Sequence, residues 1–108
     1  LRVEFKGRVG YAPPEVRLVW GVGNYSAASV PFLEASGSRS VARAGYLGSI
    51  GFVFSAAHGA WAATQESGPF HGRKVISVSG DGGFGQYAME FTTAVKYGMN
   101  ITHVLMNN

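Results

Sequence analysis

The residues best equipped for chemistry lie in the last third of the chain. An acid sits among glycines in Gly80-Asp81-Gly82-Gly83-Phe84-Gly85, and an amide pair, Asn107-Asn108, follows downstream. Glycines permit a tight turn and leave backbone N–H groups uncovered. Such groups beside the start of a helix suit an anion, phosphate above all. Asp81 constrains that reading, because a bare carboxylate repels phosphate. Either its side chain points away or a cation stands between the two. Mg²⁺ is the usual cation, since it takes oxygen ligands and bridges carboxylates to phosphates. An Asn carbonyl from residues 107–108 could supply a second oxygen.

The surrounding pattern supplies the elements that would position these groups. Val75 to Val78 is a short β-branched run and predicts a buried strand. A helix is expected from near Gly83 to Tyr97, with Phe84, Tyr87, Ala88, Phe91, Ala94 and Val95 as its core face and Gly98 as its C-cap. Asn100 begins the next strand, with His103 inside it, expected to be buried or to face an interface. In a right-handed β-α-β unit the two strands are parallel, so Asp81 and the Asn pair face one crevice. Glu90 is expected to play a structural or interface role.

Two other readings of the loop stand beside this one. Gly80, Gly82 and Gly85 satisfy G-x-G-x-x-G, the dinucleotide fingerprint of NAD or FAD domains. That fingerprint expects an acid roughly 20 residues on, and here the next strand ends in Asn107-Asn108 instead. A plain strand-to-helix turn is the third reading, but it needs neither four glycines within residues 80–85 nor the acid.

Gly80-Asp81-Gly82 followed by Asn107-Asn108 resembles the GDG…NN motif of thiamine diphosphate-dependent enzymes. The resemblance implies that Asp81 and the side-chain oxygen of Asn108 hold Mg²⁺, and that N–H groups of Gly82 and Gly83 hold the diphosphate. A further metal ligand in that family, a carbonyl just beyond the Asn pair, has no counterpart in the 108 residues. Two upstream stations also match. Val16 to Trp20 predicts a strand running into Gly21-Val22-Gly23-Asn24, and a short helix is expected over 26–35, with Val30 and Leu33 inward. The resemblance places Gly23 and Asn24 near the terminal phosphate, while Asn24 as a simple helix cap is an equally good reading. Gly48-Ser49-Ile50-Gly51 resembles the segment that receives the aminopyrimidine ring. There Gly48 would accept from the amino group and Ile50 would bend the cofactor, promoting catalysis by proximity. Core packing is the alternative for Ile50.

The wording around Gly80–Phe84 and Tyr97-Gly98-Met99-Asn100-Ile101 is most similar to the acetolactate synthase and pyruvate oxidase group. Such enzymes decarboxylate a 2-oxo acid, typically pyruvate. The cofactor carries the chemistry and the protein holds and bends it. FAD in the full-length protein is compatible with that group. The resemblance also implies a homodimer or homotetramer, because a glutamate on a different domain, usually a partner subunit's, acts on the pyrimidine ring. Nothing in this chain matches that domain. No catalytic side chain is therefore expected here, and these residues alone are expected to be inactive. A non-catalytic relative kept for assembly is the remaining alternative.

The fold expected is α/β, a mostly parallel sheet flanked by helices. Residues 1–15 form a lead-in, with Leu1, Val3 and Phe5 alternating as in a strand and Pro13-Pro14 ending it. Residues 16–108 form the front part of a thiamine diphosphate-binding domain, truncated at its C-terminus. A short edge strand is expected within 38–43 and a helix over 51–66, where small residues allow close packing. His58 is expected to be packed or solvated. The net charge of +3 is modest and its basic residues are scattered, which argues against a nucleic-acid surface. Without cysteine there is no disulfide framework or thiolate metal site. No signal peptide is evident and the most apolar helical stretch is too short to span a bilayer, so a cytoplasmic protein is expected.

Overall fold

The computed structural model describes residues 10–12, 16–23, 26, 33–35, 40–45 and 47–107. Their elements run β1 (Gly10–Ala12), β2 (Val16–Trp20), β3 (Leu33–Ala35), β4 (Val41–Arg43), α1 (Phe52–Gln65), β5 (Lys74–Gly80), α2 (Asp81–Tyr87), a 3₁₀ turn (Ala88–Glu90), α3 (Phe91–Lys96) and β6 (Ile101–Met106). Strands β4, β2, β5 and β6 form a four-stranded sheet in that order, and β1 pairs with β3. All these pairings are parallel. The α/β class expected from the sequence is the one observed.

β2 and β5 are central and buried on both faces, which is why they read as near-continuous apolar runs. On one face Val16, Leu18 and Trp20 meet Ile76 and Val78. On the other, Val19 and Val75 meet Val53, Ala57 and Ala60 of α1. Val19 and Val75 are each 1% exposed, and burial of that kind stabilises by about 1.5–3 kcal/mol per side chain. Ala57 and Ala60 let α1 lie close to the sheet. Gly59 plays no such part, because a β-carbon there would meet nothing within 4 Å.

β4 is an edge strand, as expected. Three expectations need correction. The helix expected over 26–35 does not reach its end: Ser26 is helical, but Leu33–Ala35 is strand β3, paired with β1. β1 falls within the lead-in, whereas Leu1, Val3, Phe5, Pro13, Pro14 and Val30 lie outside the described residues. The helix expected to begin near Gly83 begins at Asp81 and is not continuous to Tyr97. Tyr87 leaves helical geometry (φ −130°, ψ 22°), and a 3₁₀ turn separates α2 from α3. The expected core face also breaks up. Ala94 is buried, but Tyr87 is 42% and Val95 78% exposed. Helical spacing marks one stripe on a straight helix, and the 3₁₀ turn resets that stripe.

α3 ends as the sequence indicates. Gly98 is left-handed (φ 59°). Its N–H donates to Val95 O at 3.1 Å, and Met99 N–H donates to Ala94 O at 2.9 Å. This is a Schellman motif, which requires a residue tolerant of positive φ at that point. It returns the chain into β6.

Candidate cofactor site

Three glycine-bearing turns converge at the C-terminal ends of the strands. The turn after β2 packs on residues 48–51: a β-carbon placed on Gly48 would lie 3.8 Å from Val22 Cγ1. Residues 48–51 in turn lie against the loop after β5. A β-carbon on Gly83 would stand 3.4 Å from Gly51 N and 3.7 Å from Ile50 Cγ2. The β2 turn is also pinned to β5, since Gly21 N–H donates to Val78 O at 3.0 Å.

Gly51 shows how tightly this junction is made. Its φ is +88°, and a β-carbon there would fall 2.4 Å from Tyr87 Cε2 and 2.6 Å from Gln86 Oε1. Glycine is demanded twice, by backbone conformation and by the ring packed over it. Gly51 thus ends the 48–51 turn, precedes α1 and receives the end of α2 in one place.

Gly82 presents the opposite case. Its φ is not in the left-handed region, and a β-carbon on it would meet no protein atom within 4 Å. Neither conformation nor packing requires glycine there. The backbone at Gly82 is open to a group approaching from outside. Gly85 is equally open, which bears on the dinucleotide reading. The third glycine of that fingerprint serves close helix–strand packing, and no such packing occurs at Gly85.

The strand register sets the acid beside the first amide. Gly80 of β5 pairs with Met106 of β6. Asp81 and Asn107 therefore leave the sheet side by side, from strands about 4.8 Å apart. Both are exposed. Asn108, the predicted metal ligand, and Asn24, the predicted phosphate contact, lie outside the described residues. Gly23, Gly48, Ser49 and Ile50 are described and exposed. Ile50 is 54% exposed. Among the described residues no group of three or more His, Cys, Asp or Glu side chains could hold a metal. A cation here would depend on Asp81, amide and phosphate oxygens and water, a donor set that suits Mg²⁺. The exposed hard-oxygen donor and the open backbone at Gly82 fit a metal-bridged diphosphate.

Sequence reasoning missed one polar cluster beneath the site. His103 Nδ1 hydrogen-bonds with Ser77 Oγ at 2.7 Å, and its Nε2 with Ser79 Oγ at 2.9 Å. Phe54, Phe84 and Phe91 surround the ring, with centroids at 5.4, 5.4 and 6.1 Å. The expectation that His103 is buried or at an interface named its setting and not its partners. The signal was present: serines at alternate positions of an apolar, buried strand need hydrogen-bond partners. Elsewhere, His58 stands edge-on to Phe54 with centroids 4.7 Å apart. Glu90 accepts a hydrogen bond from Thr93 Oγ1 at 2.9 Å, a local structural contact.

Burial holds the His103 pKa below its ordinary value. Serine hydroxyls can serve either protonation state, as donor or acceptor, so desolvation decides the direction. Below a pH of about 6.5 the unfolded chain then binds more protons than the native one. The contribution of neutral His103 is complete above that pH and is lost as pH falls toward the lowered native pKa. Urea unfolding of the intact protein should show stability declining on acidification through this window, with a flatter slope for His103→Phe. An unchanged slope in the variant would show that another group sets the dependence.

A parallel α/β sheet with glycine turns, an acid and an amide at its C-terminal edge is the pattern of a nucleotide- or diphosphate-binding class of domain. Comparison with known proteins narrows the class. The family described as "Thiamine pyrophosphate enzyme, C-terminal TPP binding domain" matches residues 21–108. Curated relatives include the catabolic acetolactate synthase of Raoultella terrigena, 34% identical over 91 residues covering 84% of this chain and 15% of that protein. They also include acetolactate synthase of Mycobacterium bovis and acetolactate synthase large subunit IlvB1 of Mycobacterium tuberculosis. Each of these is 32% identical over 97 residues, covering 90% of this chain and 15% of its own. The chain belongs to the thiamine pyrophosphate enzyme C-terminal domain family, within its acetolactate synthase-like group. It spans about 15% of the length of these relatives.

No helix among the described residues is long and apolar enough to cross a membrane.

Proposed function

We propose that this chain is the front part of the thiamine diphosphate- and Mg²⁺-binding domain of an enzyme that decarboxylates a 2-oxo acid, pyruvate first, as in the acetolactate synthase or pyruvate oxidase type. The observation that carries this is the meeting of three glycine turns beside the paired strand ends of Asp81 and Asn107. In this reading residues 16–108 are domain and residues 1–15 lead into it.

Asp81 and the Asn108 side-chain oxygen hold Mg²⁺. N–H groups of Gly82 and Gly83 hold the diphosphate, with Gly80 forming the turn and Gly23 and Asn24 approaching the terminal phosphate. Gly48, Ser49 and Ile50 receive the pyrimidine side. Gly48 would accept from its amino group through the backbone, and Ile50 would pack against the cofactor. When bound, thiamine diphosphate supplies a nucleophilic carbon and an electron sink for decarboxylation. The chain's own part is to bind, orient and shield. A cytoplasmic homodimer or homotetramer would complete the active unit, and FAD, where present, would be held by other domains.

The full-length protein, given pyruvate, should release CO₂ only when thiamine diphosphate and Mg²⁺ are both supplied. Cofactor binding without turnover of pyruvate or any other 2-oxo acid would favour a non-catalytic assembly role. Tighter binding of NAD(H) than of thiamine diphosphate would favour the dinucleotide alternative.

A further inference from the structure

His103 contacts β5 and three helices beneath the candidate site. Its two ring nitrogens bond to Ser77 and Ser79 of β5. Its ring lies against Phe54 of α1, Phe84 of α2 and Phe91 of α3. α2 opens with Asp81, and β6 runs out into Asn107. Ser77 is the residue directly opposite His103 in the ladder. Ser79 lies one pleat further toward the site. One imidazole thus spans two steps of β5.

That geometry resists a particular motion. A parallel ladder can be remade after a strand slides by two residues, with the same faces inward. The imidazole cannot keep both serines after such a slide. Along β6, His103 is the last part-buried side chain before Asn107.

We propose that His103 is a positioning residue for the cofactor site, fixing the advance of β6 along β5 and so the placement of Asn107, where β6 runs out, against Asp81. The proposal rests on the thiamine diphosphate and Mg²⁺ reading of that site. A residue that merely stabilises the sheet would change the amount of folded protein. A positioning residue also changes the affinity for the cation, and added cation restores function.

The test is titration of thiamine diphosphate at a series of Mg²⁺ concentrations into the full-length protein and its His103→Phe, Ser79→Ala and Asp81→Ala variants. Phenylalanine fits among the three rings but makes neither hydrogen bond. His103→Phe should raise the Mg²⁺ concentration for half-maximal binding by about tenfold, the scale of lost outer-shell support at metal sites. Ser79→Ala should shift it in the same direction by less, and excess Mg²⁺ should restore binding in both. Should His103→Phe not fold, Ser79→Ala carries the test alone. An unchanged Mg²⁺ requirement in the folded variants, with binding abolished in Asp81→Ala, would overturn the positioning role and leave the site intact. Loss that follows folded protein and ignores added Mg²⁺ would overturn it too. Wild-type binding that needs no Mg²⁺ would remove the underlying reading and this proposal with it.

Discussion

Asp81→Ala will abolish Mg²⁺-dependent binding of thiamine diphosphate to the intact protein while leaving it folded. The two halves of that result have separate causes. Asp81 is exposed and sits in the first turn of α2 with no side-chain cap at that end. Its loss removes a favourable first-turn acid, worth about 0.3–1 kcal/mol at most sites. Thermal unfolding of the cofactor-free protein should therefore shift little. Binding should fall by more than about a hundredfold, because even outer-shell changes at metal sites cost about 10–100-fold and Asp81 would be a direct ligand. No cluster of other acidic or histidine side chains among the described residues stands ready to replace it. Calorimetric titration would read the affinity and a thermal melt the fold. Retained affinity in a folded variant would mean that the carboxylate points away and that no cation bridges it to phosphate.

Gly82→Ala should separate stability from binding in the opposite sense. In the protein alone a methyl group at this position meets nothing within 4 Å, and the residue lies in α2 without positive φ. Replacing such a glycine by alanine should stabilise by about 0.4–1 kcal/mol, by restricting the unfolded chain. The same methyl would occupy the space from which a diphosphate approaches the backbone. An overpacked contact of that kind costs about 1–3 kcal/mol, which corresponds to roughly tenfold to hundredfold in affinity. The expected outcome is a protein that melts slightly higher and binds thiamine diphosphate more weakly. Gly85→Ala is the matched comparison, since it is equally open but farther along the helix. Equal affinity in wild type and Gly82→Ala would place the ligand elsewhere.

Much of the frame was legible because it follows from local chemistry. Val16–Trp20 is strand β2 with the bounds its β-branched run predicts, and the helix expected over 51–66 is α1 within one residue at each end. Gly98 announces a helix stop that only a left-handed residue can make. The parallel pairing of β5 with β6 is the one expected of a right-handed β-α-β unit once the two strands are known. What failed did so where neighbours override local preference. Leu33–Ala35 has a helical look in isolation but pairs with β1 across an intervening strand and turn. The spacing of Phe84, Tyr87 and Phe91 continues through Ala88–Glu90, where the backbone tightens into a 3₁₀ turn and exposes Tyr87. For the candidate site, the sequence pointed to the glycine turns and the acid. It did not disclose that Gly51 accepts the Tyr87 ring, nor that His103 joins Ser77 to Ser79. Those relations arise only when separate segments are brought together.

The most direct test of the central claim is a titration of thiamine diphosphate into the wild-type, full-length protein, once with Mg²⁺ and once after complete chelation of divalent cations. Saturable binding with Mg²⁺ and its loss on chelation is the result expected of a diphosphate held through a cation at Asp81. Binding of equal strength in both conditions, or in neither, would contradict the claim.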